Sequence, residues 1–105
     1  MLRIYDVVLG ILRDLRPVIG ELERRDPDLA RQIRRASASV ALNIAEGSGS
    51  RGGNRRVRYH SALGSMEETI ACLEVGVAMG YVAVPSDDLM ARMRQVVGTL
   101  VRLVR

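Results

Sequence analysis

Apolar residues recur at intervals of three and four along almost the whole chain, the spacing that gathers them on one face of an α-helix. The first run, Ile4, Val7, Val8, Ile11, Leu12, Leu15, Val18, Ile19 and Leu22, predicts a helix beginning at Ile4. Pro17 falls inside this run. Proline has no N–H to donate and clashes with the preceding turn, so it is expected to kink the helix or to start a second segment at its own position. The next run, Leu29, Ile33, Ala36, Val40 and Ile44, follows Asp26, Pro27 and Asp28, which supply an acidic cap and a first-turn proline. This second helix is expected to stop at Gly47. The stretch from Gly47 to Gly53 then reads as a flexible loop, too short to link domains.

A third helix is expected from about Asn54 to Met79, with Tyr59, Leu63, Met66, Ile70, Leu73 and Val77 along its core stripe and Gly80 at its end. Tyr81 to Val84 forms a short connector. Ser86, Asp87 and Asp88 cap a fourth helix whose core face is Leu89, Met93, Val96, Val97, Leu100 and Val104. Short connections force neighbouring helices to run antiparallel, so the pattern predicts an all-α, antiparallel up-down-up-down four-helix bundle. No internal repeat is evident, and 105 residues are enough for one core, so residues 1–105 are read as a single four-helix bundle domain.

Composition refines this picture. Phe and Trp are absent and Tyr5, Tyr59 and Tyr81 are the only aromatic residues, so aliphatic and Met side chains must fill the core. Cys72 is alone, which excludes an intramolecular disulfide and gives no sign of an oxidising compartment. Arg3 and Asp6 spoil a secretory signal, and no apolar run approaches a membrane span. A cytoplasmic protein without membrane association is expected.

All sixteen basic residues are arginine, and the formal net charge is +4. Coding bias explains the choice of arginine better than selection for forked phosphate contacts does. The predicted topology gives these charges an address. One end of the bundle, residues 1–6, 46–60 and 100–105, holds Arg3, Arg51, Arg55, Arg56, Arg58, Arg102 and Arg105 against Asp6 and Glu46. The other end, residues 20–30 and 72–90, holds Arg24 and Arg25 against seven acids. Acids at helix starts and arginines at the end of the fourth helix complement helix dipoles. Arg55, Arg56 and Arg58 instead crowd the positive end of their own helix, at a cost of about a few tenths of a kcal/mol per exposed charge. Two readings remain open for this end: a solvated flexible loop, or an anion site in which arginines and free N–H groups face phosphate. The glycine-rich stretch is no P-loop, since it lacks the Gly-Lys-Ser/Thr ending.

The third helix carries a second stripe opposite its core face: Val57, Ser61, Gly64, Glu68, Ala71, Val75 and Ala78. Such a face suits either a second neighbour within the bundle or another subunit. A homo-oligomer is the favoured expectation, with Val57, Gly64, Ala71, Val75 and Ala78 at its interface. If Glu68 is buried it needs polar partners, for which Arg35, Asn43 and Ser65 are candidates, and with Glu46 these residues make up the expected structural polar cluster.

No constellation for catalysis emerges. His60 and Cys72 are twelve residues apart on one helix, about 18 Å, too far for a nucleophile and its base. A single His and a single Cys offer no zinc set, and the adjacent acid pairs Glu67–Glu68 and Asp87–Asp88 point in different directions. A non-enzyme without metal or cofactor is expected. Nucleic-acid binding, if present, should be backbone-directed and salt-sensitive, because there is neither a stacking platform nor a helix-turn-helix reading head.

The ordered motifs Gln32-Ile33-Arg34-Arg35-Ala36, Ser39-Val40, Asn43-Ile44-Ala45-Glu46-Gly47, Arg51, Gly64-Ser65, Glu68, Leu73 and Gly80-Tyr81 resemble the signature of a four-helix-bundle family. That family includes proteins encoded in intervening sequences of 23S ribosomal RNA genes and accessory variability proteins of diversity-generating retroelements. The match covers about residues 28–82. The resemblance implies an antiparallel four-helix protomer assembled into a ring, usually a pentamer, with basic character. For the retroelement members it also implies binding of nucleic acid and of a reverse transcriptase. Carried over, Arg34, Arg35, Asn43, Glu46, Gly64, Ser65 and Glu68 are family positions, read as mainly structural. The chain departs from the usual pattern around Glu21 to Asp28, where the linker to the second helix looks longer, and it is short at the C-terminus.

Two functional expectations follow. The leading one is a non-catalytic ring-forming protein that binds RNA or DNA through Arg3, Arg51, Arg55, Arg56, Arg58 and Arg102, as an accessory to a reverse transcriptase or another ribonucleoprotein. The other is a protein-interaction scaffold whose arginine-rich end meets an acidic protein surface.

Overall fold

A computed structural model describes residues 2–105. They form four helices: α1 (Arg3–Arg25), α2 (Pro27–Ser48), α3 (Gly52–Ala78) and α4 (Asp87–Leu103). Each packs on two neighbours in the cyclic order α1, α2, α3, α4. The contacts between α2 and α3 define their direction: Glu46 meets Arg58, Ser39 meets Ser65, and Leu29 reaches the backbone at Gly76. Positions advance along α2 as they retreat along α3, so the two helices are antiparallel. Glu23 of α1 pairs with Arg34 of α2, and Asp14 of α1 with Arg92 of α4, closing the bundle on the other sides.

The caps follow the expected chemistry. Asp26 accepts from the Leu29 N–H at 3.1 Å with Pro27 beside it, and Ser86 accepts from the Leu89 N–H at 3.1 Å. These bonds satisfy N–H groups that a helix start leaves orphaned. Gly80 ends the turn after α3 with φ +75°, a conformation that side chains with a Cβ resist, and this lets the Tyr81 N–H return to the Gly76 carbonyl at 2.9 Å.

Three expectations about the helices need correction. Of the two outcomes expected at Pro17, the start of a second segment is not found: α1 runs continuously through it for 23 residues. Pro17 and Arg13 are both exposed, so the Arg13 carbonyl that proline leaves without its N–H partner is on the solvent side, while Leu15 and Leu22 anchor the opposite face. The linker into α2 is not long: Asp26 alone separates α1 from α2, and its own N–H bonds to the Leu22 carbonyl at 2.6 Å. Finally, most of Gly47–Gly53 is not a loop, because α2 continues through Ser48 and α3 begins at Gly52. Side chains and backbone groups within the segment satisfy the helix ends, as described below.

The buried cluster draws on all four helices: Val8, Ile11, Leu15 and Leu22 of α1, Ile33, Val40 and Ile44 of α2, Met66 and Leu73 of α3, and Met93, Val96 and Leu100 of α4 are its large members. The α2 stripe is buried as the spacing predicts. On α3 the burial shifts toward Ala62, Thr69, Cys72 and Gly76, leaving Ile70 and Val77 half-buried. Small residues permit that shift. Gly76 lies under Leu22 and Val82, where a Cβ would stand 3.1 and 3.2 Å from their methyl groups. On α1, Val7, Leu12, Val18 and Ile19 are only half-buried.

Gly20 differs from Gly76, since a Cβ there would meet nothing within 4 Å and its backbone is helical. Gly20→Ala is therefore expected to raise stability by about 0.5–1 kcal/mol through reduced unfolded-state entropy. Urea denaturation, with unchanged dependence on denaturant, is the check.

Candidate nucleic-acid interface

The arginine-rich end is built around the turn from α2 to α3. Ser48 donates to the Ile44 carbonyl at 3.0 Å and Ser50 to the Glu46 carbonyl at 2.8 Å, while the Gly49 and Ser50 N–H groups close on Glu46 and Gly47. Arg51 is extended, and Gly52 enters α3 at φ +56°, in the region that glycine tolerates. The reversal thus occupies three residues, Gly49 to Arg51. Gly47 is buried directly beneath the Tyr59 ring, and a Cβ on it would overlap the ring edge, standing 2.7 Å from Cδ1.

This geometry explains why arginines crowd the start of α3. Arg55 Nε donates to the Ser50 carbonyl at 2.9 Å and the Gly47 carbonyl at 3.3 Å, and the Arg58 guanidinium pairs with Glu46 at 3.0 Å. Both side chains reach the C-terminus of α2, where orphan carbonyls carry the negative end of that helix's dipole. The unfavourable interaction with the dipole of α3 is offset by the neighbouring helix. Arg55 and Arg58 are therefore parts of the turn as well as of the basic end.

The remaining members of the set are free of such duties. Arg3, Arg51 and Arg56 are exposed and make no ion pair or side-chain hydrogen bond among the described residues. Arg102 is exposed and touches only the Thr99 hydroxyl, at 3.3 Å. The start of α1, the α2–α3 turn and the end of α4 bring these side chains to the same end of the bundle, where Arg105 joins them.

The polar cluster expected from Arg35, Asn43, Glu46, Ser65 and Glu68 divides in two. Glu46 belongs to the turn with Arg58. Arg35, Ser65 and Glu68 line a groove of about 300 Å³ between α2 and α3, together with Gln32 and Ser39. The hub of this group is Ser39, whose Oγ accepts from Ser65 Oγ and from Asn43 Nδ2, both at 2.9 Å. Asn43 also donates to the Ser39 carbonyl at 3.0 Å, and Thr69 donates to the Ser65 carbonyl at 2.8 Å. Glu68 is exposed, so its carboxylate keeps water and needs no buried partner. Thr69 looks like an ordinary small helix residue in sequence. The signals for Ser39 were its place in the Ser39-Val40 motif and its position one turn before Asn43.

Elsewhere the side chains with chemical potential stay apart. Cys72 is buried, and burial, aided by the charge of Glu68, pushes its pKa up, so it remains a neutral thiol near pH 7. His60 is exposed on the same helix. Among the described residues, no three His, Cys, Asp or Glu side chains are grouped to hold a metal, and no helix is long and apolar enough to cross a membrane.

Val57, Gly64, Ala71, Val75 and Ala78 all lie exposed on the outer side of α3, with Val57 62% and Val75 50% accessible. Leu42 of α2 is exposed as well.

Fold and site together define a small antiparallel four-helix bundle with a basic end and an unpartnered apolar stripe. The model of the 23S rRNA-intervening sequence protein family matches residues 13–102, and the chain belongs to that family. A crystal structure from Bacteroides thetaiotaomicron, of a protein with unknown function from the S23 ribosomal protein family, has the same fold: TM-score 0.81, 18% identity, covering 97% of this chain and 98% of the other. No curated protein matches the chain.

Because Gly47 sits against Tyr59 with no room to spare, Gly47→Ala is expected to destabilise the protein by about 1–3 kcal/mol, the usual cost of overpacking. Chemical denaturation should show a lower midpoint, and relief in the double variant Gly47→Ala/Tyr59→Leu would locate the cost in that contact.

Proposed function

We propose that this protein is a non-catalytic, ring-forming bundle that binds the RNA or DNA backbone through its arginine-rich end. The observation that carries this reading is the set of exposed arginines without acidic partners, Arg3, Arg51 and Arg56, gathered with Arg102 where two helix ends and the α2–α3 turn converge. Phosphodiesters are the partners such a surface suits, since each arginine can displace condensed counterions and donate a forked pair of hydrogen bonds. The family's name, which refers to sequences within 23S rRNA genes, favours a role beside RNA. An accessory role to a reverse transcriptase or another ribonucleoprotein, in the cytoplasm, accords with this chemistry.

Assembly into a homo-oligomer, a pentamer by family resemblance, is supported by the exposed stripe on α3. Val57, Gly64, Ala71, Val75 and Ala78 repeat at helical spacing and are all exposed in the protomer. Side-by-side protomers would cover that stripe and collect their arginines on one rim, multiplying weak individual phosphate contacts.

Changing Arg3, Arg51 and Arg56 together to Glu is expected to weaken binding of a fluorescent single-stranded RNA by about tenfold or more and to flatten its salt dependence, with helicity unchanged. Fluorescence anisotropy and circular dichroism are the measurements. A wild-type protein that binds no oligonucleotide at about 150 mM salt would overturn this reading in favour of an acidic protein surface at the same end.

Light scattering of the wild type is expected to report a multimer, and Val57→Glu with Val75→Glu to reduce it to protomers of intact helicity, because each charge would be desolvated in the assembled state. A wild-type monomer at micromolar concentration contradicts the ring.

A further inference from the structure

A second surface lies away from the basic end. α1 and α2 leave an open groove of about 500 Å³ on the outside of the bundle. Leu9, Leu12 and Ile19 of α1, with Ala38 of α2, give it an apolar floor, and Arg13, Arg16 and Arg34 stand around it. Leu12 and Ile19 belong by spacing to the core stripe of α1, yet both are only half-buried because they face this groove.

The charged residues that line the groove are all arginines. Arg13 and Arg16 are exposed and make no ion pair among the described residues, whereas Arg34 is held by Glu23 at 2.7 Å. No acidic residue lines the groove. Asp14, adjacent in sequence to Arg13, is engaged with Arg92 on the α4 side and does not neutralise it.

We propose that this groove is a docking site for an acidic amphipathic helix of a protein partner. From Leu9 to Gly20 the floor extends about 16 Å, the length of three helical turns. A docked helix would place apolar side chains at three- and four-residue spacing on Leu9, Leu12, Ile19 and Ala38, and its flanking Asp or Glu residues against Arg13 and Arg16. Charge complementarity selects that occupant. A nucleic-acid backbone would engage the arginines but leave the apolar floor in water, while a helix with an apolar spine and acidic flanks satisfies both.

The test is a selection, on the full chain, from a displayed library of peptides about fourteen residues long with leucines fixed at i, i+4, i+7 and i+11 and all other positions random. Enriched peptides are expected to carry Asp and Glu beside the leucines. Their affinity should fall about tenfold or more on Arg13→Glu/Arg16→Glu and again on Gly20→Trp, which extends a ring from a position where a Cβ meets nothing within 4 Å. Arg51→Glu/Arg56→Glu at the bundle end should leave it unchanged. No enrichment, neutral or basic flanks, or binding indifferent to the groove variants would overturn the proposal. So would dissociation of the oligomer by Arg13→Glu/Arg16→Glu, which would assign the groove to a second copy, or loss of single-stranded RNA binding in that variant, which would assign it to nucleic acid.

Discussion

The close antiparallel contact between α2 and α3 is the constraint on which the rest of this bundle depends. A reversal of three residues leaves little freedom in register, and small residues lie at the contact: Ser39 and Gly47 on one helix, Ser65 on the other. Gly47 under Tyr59 and Ser39 bonded to Ser65 hold two levels of the pair, and Glu46 with Arg58 holds the turn end. At Gly47 the contact has no room for an added methyl group. With α2 and α3 so placed, the core stripes of α1 and α4 have one surface left to cover.

The same contact governs the electrostatics. A helix start is an unfavourable place for arginines when that helix is considered alone, yet the turn sets it beside the carbonyl end of α2, which welcomes them. Arg55 and Arg58 are held by that end, while Arg51 and Arg56 point away from it into solvent. One basic segment thus supplies both the fastening of the turn and a surface of free positive charge. At the opposite side of the bundle, Arg92 bridges Asp14 and Asp88, tying α1 to α4, and hydrogen bonding to Asp14 is the chief reason its pKa rises. Arginine therefore acts as a fastener at the turn and between helices, and at Arg3, Arg51 and Arg56 as an exposed cation.

Two faces of the protomer remain without an internal partner: the outer stripe of α3 and the groove between α1 and α2. They differ in chemistry. The α3 stripe is built of small and β-branched residues, Val57, Gly64, Ala71 and Val75, with Glu68, Asp26 and Asp28 beside its Ala71–Val75 part, and suits close approach of another subunit. The α1–α2 groove combines an apolar floor with arginines and suits an acidic partner.

The three-and-four spacing of apolar residues was sufficient to determine four helices, their antiparallel order and most of the core, because amphipathic periodicity and capping residues such as Asp26 and Ser86 act locally. It also gave the arginines an expected address at one end, since topology follows from short connections. The family was legible in the motif around Asn43, Glu46 and Gly47. Tertiary structure alone decided what those residues do. That Pro17 is absorbed in α1 depends on which face of the helix meets water. That Gly47–Gly53 is mostly helical depends on bonds from Ser50 and Arg55 to carbonyls of α2. That Ser39 is the hub of the polar cluster, and Glu68 only a rim residue, depends on how α3 rotates when small residues let it settle against α2. Each of these outcomes is a contact between segments distant in sequence or turned back on one another, and a one-dimensional pattern records spacing along a helix but not the rotation and approach of its neighbours.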